Sequence, residues 1–170
     1  STYLIHKANF VACHNPSYVN KYNMVQELVD GGTFLLNCAW DMEGLEKHLP
    51  GQVKAFIANH NIKFYTIDGV KIGIETGMGP TRINTILQSA FFKLTGIIPE
   101  DQAIDLMKAA AKATYGRKGD DVVQKNWAAI DAGAKQVVEI QVPESWKDAE
   151  DEGLHTVSYT HLTLPTKLEV

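Results

Sequence analysis

Short apolar runs and helical patterns alternate along the first part of the chain. The apolar runs 9–14, 33–38 and 62–67 are each followed by polar or turn-forming residues, which is typical of buried strands. Between them, apolar residues recur at three- and four-residue spacing, as they do in helices packed on a sheet. Strands alternating with helices favour a mostly parallel sheet covered on both faces. The pattern therefore predicts the α/β class, with three α/β/α layers.

The connection between the first two strands is predicted to contain a helix. Pro16 suits the first helical turn, where its missing N–H costs little. Gly31-Gly32 is expected to end that helix, because glycine readily adopts the left-handed conformation found there. Between these points, four apolar residues follow helical spacing: Tyr18, Tyr22, Val25 and Leu28.

After the second strand, Asp41 is expected to cap a helix. That helix should continue through Leu45 and Leu49, and Pro50-Gly51 should interrupt it before helical spacing resumes. The third strand should end at Asp68-Gly69.

The second half is predicted to be largely helical. Helical spacing runs over 70–76 and 83–94, from Pro99-Glu-Asp101 to Gly116, and again as far as Ala134. Asp120 or Asp121 is expected to cap the last of these helices. The alternating residues 137–142 end at Pro143 and predict an exposed extension or an edge strand.

The C-terminal residues differ in character from the rest. Residues 148–156 are acidic and polar, which is typical of a solvated linker. Residues 157–170 have no helical periodicity, although three leucines give them modest strand character. They could form a native terminal strand, but we interpret them as a non-native tail, similar to translated adapter or vector sequence. Residues 1–147 are then the domain-like part of the chain.

Composition excludes several classes of protein. The net charge is −4, and only Arg82 and Arg117 of the sixteen basic residues are arginines, so the basic face of a nucleic-acid-binding protein is not expected. No apolar run approaches the roughly 20 residues that span a bilayer. The first residues also lack the pattern of a signal peptide. We therefore expect no nucleic-acid or membrane partner and a cytoplasmic location.

The cysteines offer little chemistry. Cys13 and His14 are adjacent on a predicted strand, so their side chains should point to opposite faces and not form a thiolate–imidazole pair. Their spacing from Cys38 and His48 matches no compact zinc motif. Two cysteines are also too few for the four thiolates of an iron–sulfur cluster. We expect Cys13 to be a small buried apolar residue, and we assign no catalytic residue and no metal ligand.

Candidate binding residues follow a predicted strand or begin a helix. Asn15, and Ser17 beside it, follow the first strand, at the carboxyl edge where open α/β sheets bind ligands. Both residue types are also common in turns and caps. Arg82 and Asn84 lie at the start of a long helix, where free N–H groups and a guanidinium could bind an anion. Arg82 could instead form an ion pair or an interdomain contact.

The glycines before Arg82 do not form a dinucleotide-binding motif. Gly77-Met-Gly79 is followed at the third position by Arg82 and does not directly follow a strand.

Several ordered blocks of sequence lie across residues 2–147. They are Phe10-Val-Ala-Cys-His-Asn-Pro-Ser-Tyr-Val19, Gly31-Gly-Thr-Phe-Leu-Leu-Asn37, Ile62-Lys-Phe-Tyr65, Arg82-Ile-Asn-Thr85, Ala90-Phe-Phe-Lys-Leu94, Tyr115-Gly-Arg-Lys-Gly119 and Val142-Pro-Glu-Ser-Trp146. Together these blocks resemble the pyruvate:ferredoxin (flavodoxin) oxidoreductase family. They match the later part of its central, gamma-type domain, whose glycine-rich opening segment is not in this sequence.

The resemblance implies an enzyme that oxidatively decarboxylates pyruvate with coenzyme A, giving acetyl-CoA and CO2 and reducing ferredoxin or flavodoxin. It implies thiamine diphosphate, Mg2+ and 4Fe–4S clusters in other domains of the same enzyme, which is expected to be a homodimer. This chain alone is then expected to bind none of these cofactors and to be inactive.

The resemblance also makes four residues candidates for facing coenzyme A or a neighbouring domain: Asn15, Ser17, Arg82 and Asn84. Pro80 stands where a more glycine-rich approach to Arg82 is expected. Two alternatives remain open at this point. The chain could be a structural, interdomain α/β module, or a domain that binds a nucleotide-like ligand without catalysis.

Overall fold

The computed structural model describes residues 8–20 and 24–150, which form a four-stranded sheet and six α-helices. The strands are β1 (Ala8–Cys13), β2 (Leu28–Asn37), β3 (Lys63–Ile67) and β4 (Val138–Glu139), in the order β1-β2-β3-β4. The helices are α1 (Met42–His48), α2 (Gly51–Asn59), α3 (Gly69–Thr76), α4 (Asn84–Thr95), α5 (Glu100–Tyr115) and α6 (Asp120–Lys135). Short 3-10 turns cover Pro16–Asn20, Met24–Glu27, Gly116–Lys118 and Glu144–Asp148.

The chain divides into two compact units. The sheet unit consists of the described residues up to Thr66 together with 139–150, and the helical unit consists of Ile67–Val138. β1 and β2 pair in parallel, and the helices α3 to α6 all lie in the helical unit. The predicted α/β class with a largely helical second half is therefore confirmed.

The prediction of a helix between the first two strands is wrong. Residues 16–20 and 24–27 form 3-10 turns, and Leu28 is already the first residue of β2, paired with Ala8 of β1. Val25 and Leu28 are each 1% exposed, so their spacing reflects burial against the sheet and not an α-helical face. Parallel pairing with β1 outweighed the local pattern. Tyr22 lies outside the described residues.

Gly31 and Gly32 lie inside β2 and do not end a helix. Gly31 has a φ of 78°, and its N–H donates to the carbonyl of His60 at 2.9 Å. The β1–β2 register is irregular here, because Ala8 pairs with Leu28 and Phe10 with Thr33. Glycine does supply a left-handed conformation at this point, but it is used in a bulge of the strand.

The helix boundaries after residue 40 mostly follow the prediction. Asp41 caps α1 by accepting a hydrogen bond from Gly44 N at 2.9 Å, and Pro50 precedes α2. α4 ends at Gly96, which has a φ of 62°. These boundaries depend on nearby residues, so the sequence predicts them well.

The capping of the last helix was predicted wrongly. Gly119 occupies the cap position of α6, with a φ of 112° and no side chain to accept a hydrogen bond. Asp120 and Asp121 therefore lie in the first helical turn, where carboxylates interact favourably with the helix dipole.

The expected edge strand is confirmed but short. β4 contains only Val138 and Glu139, both exposed, and stands at one end of the strand order. Just beyond it, Ile140 N donates to Phe64 O at 2.9 Å. The predicted linker is described only as far as residue 150, and the predicted tail over 157–170 lies outside the described residues.

Aromatic side chains hold the core of the sheet unit together. Phe34 stacks on Phe64 at a centroid distance of 5.5 Å, and Trp146 packs against Phe64 at 6.3 Å. Trp146 is 1% exposed, and its Nε1 donates to Glu46 Oε1 at 2.9 Å. The segment after β4 is thus part of this core.

Candidate functional site

The carboxyl ends of β1 and β2 lie at the same edge of the sheet. Their parallel register continues to the pair Cys13 and Leu36. Asn37, which ends β2 and is 3% exposed, donates from Nδ2 to the carbonyl of His14 at 2.9 Å. This hydrogen bond joins the two strand ends and places the loop that begins at Asn15 beside β2.

Asn15 and Ser17 lie together in a tight turn at this edge. Asn15 Oδ1 accepts hydrogen bonds from Ser17 N at 3.0 Å and from Ser17 Oγ at 2.9 Å. Asn15 Nδ2 has no acceptor among the described residues, so it presents two N–H donors at the edge of the sheet. These contacts establish the turn role of Asn15 and fix the orientation of its side-chain amide.

Cys13 has the buried position that was predicted for it. Its side chain is 0% exposed, and its thiol donates to the carbonyl of Asn15 at 3.1 Å. Cys38 is 6% exposed, and the two cysteines are not joined in a disulfide. Cys13 thus supports the loop that carries Asn15, and the geometry gives it no nucleophilic role.

Metal and iron–sulfur chemistry does not fit the residues at hand. Among residues 8–20 and 24–150, no group of three or more His, Cys, Asp and Glu side chains could hold a metal ion. His48 instead stacks on Trp40 at a centroid distance of 4.6 Å.

The turn before Arg82 depends on two glycines. Gly79 N donates to Gly73 O at 2.9 Å, and a side chain at Gly73 would collide with the carbonyl oxygen of Gly79. Gly79 has a φ of 94°, which favours glycine. This turn brings the chain from the end of α3 to the start of α4.

Arg82 and Asn84 lie at the start of α4, in the helical unit. Both are exposed, and Arg82 forms no hydrogen bond or ion pair with any residue that the structure describes. The cap residue Ile83 has no side-chain oxygen, so the first N–H groups of this 12-residue helix have no cap. A guanidinium beside uncapped N–H groups is suited to an anionic ligand.

The structure brings two of the four candidates into contact. Asn15 and Ser17 are hydrogen-bonded within the sheet unit, whereas Arg82 and Asn84 are near neighbours in the helical unit. Asp68, which follows β3 as Asn15 follows β1, has a structural role because it caps α3 by accepting from Lys71 N at 3.0 Å.

Sequence reasoning missed Asn126. It lies on α6 and is 2% exposed, so it is a polar side chain in an apolar setting. The signal was present in the sequence, because Asn126 occupies the apolar helical spacing defined by Val123 and Ile130.

The fold resembles that of one solved structure. Subunit PORC of pyruvate oxidoreductase from Thermotoga maritima has a similar fold, with a TM-score of 0.63 and 18% sequence identity, over 80% of this chain and 67% of that one. A family model described as pyruvate ferredoxin/flavodoxin oxidoreductase matches residues 1–136. The chain belongs to this family, as its sequence blocks predicted.

Two relatives show how much of such a protein is present. The chain is 48% identical over 158 residues to pyruvate:ferredoxin oxidoreductase from Moorella thermoacetica, which covers 93% of this chain and 13% of that protein. It is 47% identical over 151 residues to pyruvate-flavodoxin oxidoreductase from Enterobacter agglomerans, again covering 13% of the relative. The sequence therefore corresponds to a small part of these enzymes.

In the part of the chain that the structure describes, no helix combines the length and apolar character needed to cross a membrane.

Proposed function

We propose that this chain is a segment of an enzyme that converts pyruvate and coenzyme A to acetyl-CoA and CO2. The carboxyl group of pyruvate leaves as CO2, its acyl carbon forms a thioester with the coenzyme A sulfur, the thiol proton is released, and an electron pair passes to ferredoxin or flavodoxin. The observation that carries the proposal is the 48% identity, over 93% of this chain, to a pyruvate:ferredoxin oxidoreductase.

The proposal assigns thiamine diphosphate, Mg2+ and the 4Fe–4S clusters to other parts of the enzyme. The sequence supports this division, because its two cysteines cannot supply the four thiolates that an iron–sulfur cluster usually needs. The 170-residue chain, supplied with pyruvate, coenzyme A, thiamine diphosphate, Mg2+ and ferredoxin, is expected to form no acetyl-CoA. The full-length enzyme containing the same segment should form it. Acetyl-CoA formation by the segment alone would refute the division.

Within that enzyme, we assign two patches as facing coenzyme A or a neighbouring domain, each within its own unit: Asn15 with Ser17, and Arg82 with Asn84. The support is chemical: each candidate pair presents N–H donors, and coenzyme A carries phosphate and carbonyl oxygens that would accept them. Substituting Asn15 with Asp keeps a side-chain oxygen for the Ser17 turn but replaces the N–H donors with a charged oxygen.

Arg82→Ala in the full-length enzyme tests the assignment, with Arg117→Ala as the matched control. Arg117 is the only other arginine and is also exposed, in the turn after α5. A raised KM for coenzyme A with unchanged kcat would support the coenzyme A contact. Loss of assembly in size-exclusion chromatography would support the interdomain contact. If neither Arg82→Ala nor Asn15→Asp differs from the Arg117→Ala control, the assignment is wrong.

The boundaries of the segment are part of the proposal. We assign residues 1–147 to a partial gamma-type domain, 148–156 to an acidic linker and 157–170 to a non-native tail. The buried position of Trp146 supports a domain that continues at least to that residue. Removing residues 157–170 should leave the free energy of unfolding unchanged within about 0.5 kcal/mol. A larger loss in urea denaturation would identify the tail as native structure.

We further propose that the enzyme is cytoplasmic and a homodimer. The two cysteines are buried and not joined in a disulfide, which is typical of a reducing compartment and supports the location. Cell fractionation should recover the enzyme with cytoplasmic markers, and sedimentation velocity of the full-length protein should give the mass of two chains. Recovery of the enzyme in another fraction would contradict the cytoplasmic location. A sedimentation mass of one chain would contradict the homodimer.

A further inference from the structure

A cleft of about 330 Å3 lies within the helical unit, with walls from α4, α5 and α6. Small residues on α5 create the space. Ala103 and Ala111 line it and are 1% and 9% exposed, whereas Leu106, Ala110 and Thr114 line it at four-residue spacing and are exposed. The volume falls in the range of about 300–1,000 Å3 that is usual for small-molecule sites.

One buried polar atom in this cleft has no hydrogen-bond partner within the part of the chain that the structure describes. Asn126 lines the cleft and donates from Nδ2 to the carbonyl of Val122 on its own helix at 2.8 Å. Its Oδ1 accepts no hydrogen bond from residues 8–20 or 24–150, although the residue is only 2% exposed. A buried acceptor without a donor is unfavourable, and native structures satisfy most such groups with protein, water or ligand.

The other lining side chains limit the chemistry of an occupant. None of them is charged, which disfavours an ionic ligand. Phe92, Met107 and Tyr115 offer two aromatic rings and a thioether, which pack favourably against a flat apolar molecule.

We propose that the cleft binds a small, uncharged molecule with a flat apolar body and one N–H or O–H group, which donates to Asn126 Oδ1. The site is independent of the proposed enzymatic role, because it uses none of Asn15, Ser17, Arg82 and Asn84.

Indole and 1-methylindole form a matched pair of probes, because they share the apolar body and only indole has an N–H. Each is titrated into the 15N-labelled 170-residue chain and followed by 1H–15N correlation spectra. We expect indole to shift the Asn126 side-chain amide and the backbone amides near Ala110 and Thr114. We expect 1-methylindole to bind roughly tenfold more weakly or worse, because it leaves the acceptor unsatisfied.

Two tryptophan variants on α5 test the location. Ala110→Trp places a large ring at the exposed side of the cleft, and Ala113→Trp makes the same change at an exposed position that does not line it. Ala110→Trp should abolish the indole-induced shifts, and Ala113→Trp should preserve them. Asn126→Leu removes the acceptor and should therefore equalise the affinities of indole and 1-methylindole. If this variant does not fold, the comparison of the two probes on the wild-type chain still tests the proposal.

Three results would overturn the proposal. Equal affinity of indole and 1-methylindole for the wild-type chain would show that Asn126 Oδ1 does not select a donor. Shifts confined to residues outside the cleft, or no shifts at all, would show that indole does not bind in the cleft. Nuclear Overhauser contacts from residues 151–170 to the Met107 methyl group would show that the chain itself fills the cleft.

Discussion

The sheet unit and the helical unit bury different kinds of side chain. Of the twelve largest fully buried side chains among the described residues, nine belong to the sheet unit, including Phe34, Phe64 and Trp146. In the helical unit, α4 and α6 instead meet through small residues. These include Ser89, Ala90, Ala129 and Gly133. Side chains between a sheet and its helices must fill a wide space, whereas two helices approach closely only where their facing residues are small.

This difference predicts opposite sensitivities. Removing volume should damage the sheet unit most, because large side chains leave large cavities. Adding volume should damage the α4–α6 contact, because the backbones are already close. The Ser89 hydroxyl also donates to Ile130 O at 2.5 Å across this contact. This hydrogen bond further restricts how far α4 and α6 can separate.

Phe34→Ala should have the largest effect. Phe34 is 0% exposed and stacked on Phe64, so its removal leaves a cavity and should lower the free energy of unfolding by about 3–5 kcal/mol. Phe34→Leu is the control and should cost much less, because it keeps most of the apolar volume. Urea denaturation followed by circular dichroism measures both, and equal losses would contradict the role of volume.

Gly133→Ala should have the next largest effect, in the helical unit. A Cβ there would lie 2.6 Å from Ile86 O and 3.0 Å from Ser89 Cβ, so α4 and α6 must separate. We expect a loss of about 1–3 kcal/mol in the same denaturation assay. Gly116→Ala is the matched control, since its φ is −57° and its Cβ would meet nothing within 4 Å. If both glycine variants are equally stable, the close helix contact is not limiting.

The two helix caps should respond alike, although they lie in different units. Asp41 accepts from Gly44 N at 2.9 Å in the sheet unit, and Asp68 accepts from Lys71 N at 3.0 Å in the helical unit. Each substitution with Ala should cost about 1 kcal/mol of stability. Asp121→Ala removes a first-turn carboxylate that is not the cap of α6 and should cost less. A clear difference between the two cap variants would show that the units also differ in local helix energetics.

The smallest effect concerns Tyr65 of β3. Burial, and secondly the charge of Glu139, raise the pKa of Tyr65 above its usual 10.0. The unfolded chain therefore loses this proton first, so stability falls as the pH rises above about 10 and the contribution is gone once Tyr65 ionises in the folded chain. Glu139→Gln should lower the pKa of Tyr65, measured by ultraviolet absorbance, whereas Glu144→Gln should not change it. No change with Glu139→Gln would contradict the coupling of these neighbouring strands.

Local residue chemistry explains why much of the fold could be predicted. The ends of α1, α2 and α4 depend on Asp41, Pro50 and Gly96, which act within a few residues of their own positions. The segment from Pro16 to Leu28 could not be predicted in this way. Its apolar spacing suits a helix, but Leu28 pairs with Ala8, twenty positions earlier in the chain.

In the candidate site, too, the sequence predicted the features that depend on neighbouring residues and missed those that depend on distant ones. The sequence indicated that Asn15 follows a strand and that Arg82 and Asn84 begin a helix, because these are neighbour relationships. It could not show that Asn37 joins the two strand ends through His14 O, since that hydrogen bond spans 23 positions. Nor could it show the unpartnered amide oxygen of Asn126, because satisfaction of a buried group depends on every residue packed around it.

The sequence by itself determined the α/β class, the helix boundaries set by caps, glycines and prolines, and the blocks that identify the family. Only the tertiary structure decided that residues 16–27 form 3-10 turns, that Gly31 bends a strand, and that α4, α5 and α6 leave a cleft. The physical reason is the separation along the sequence between the residues that interact. Capping and backbone preference act between near neighbours, whereas strand pairing and close packing depend on residues that meet only after the chain has folded.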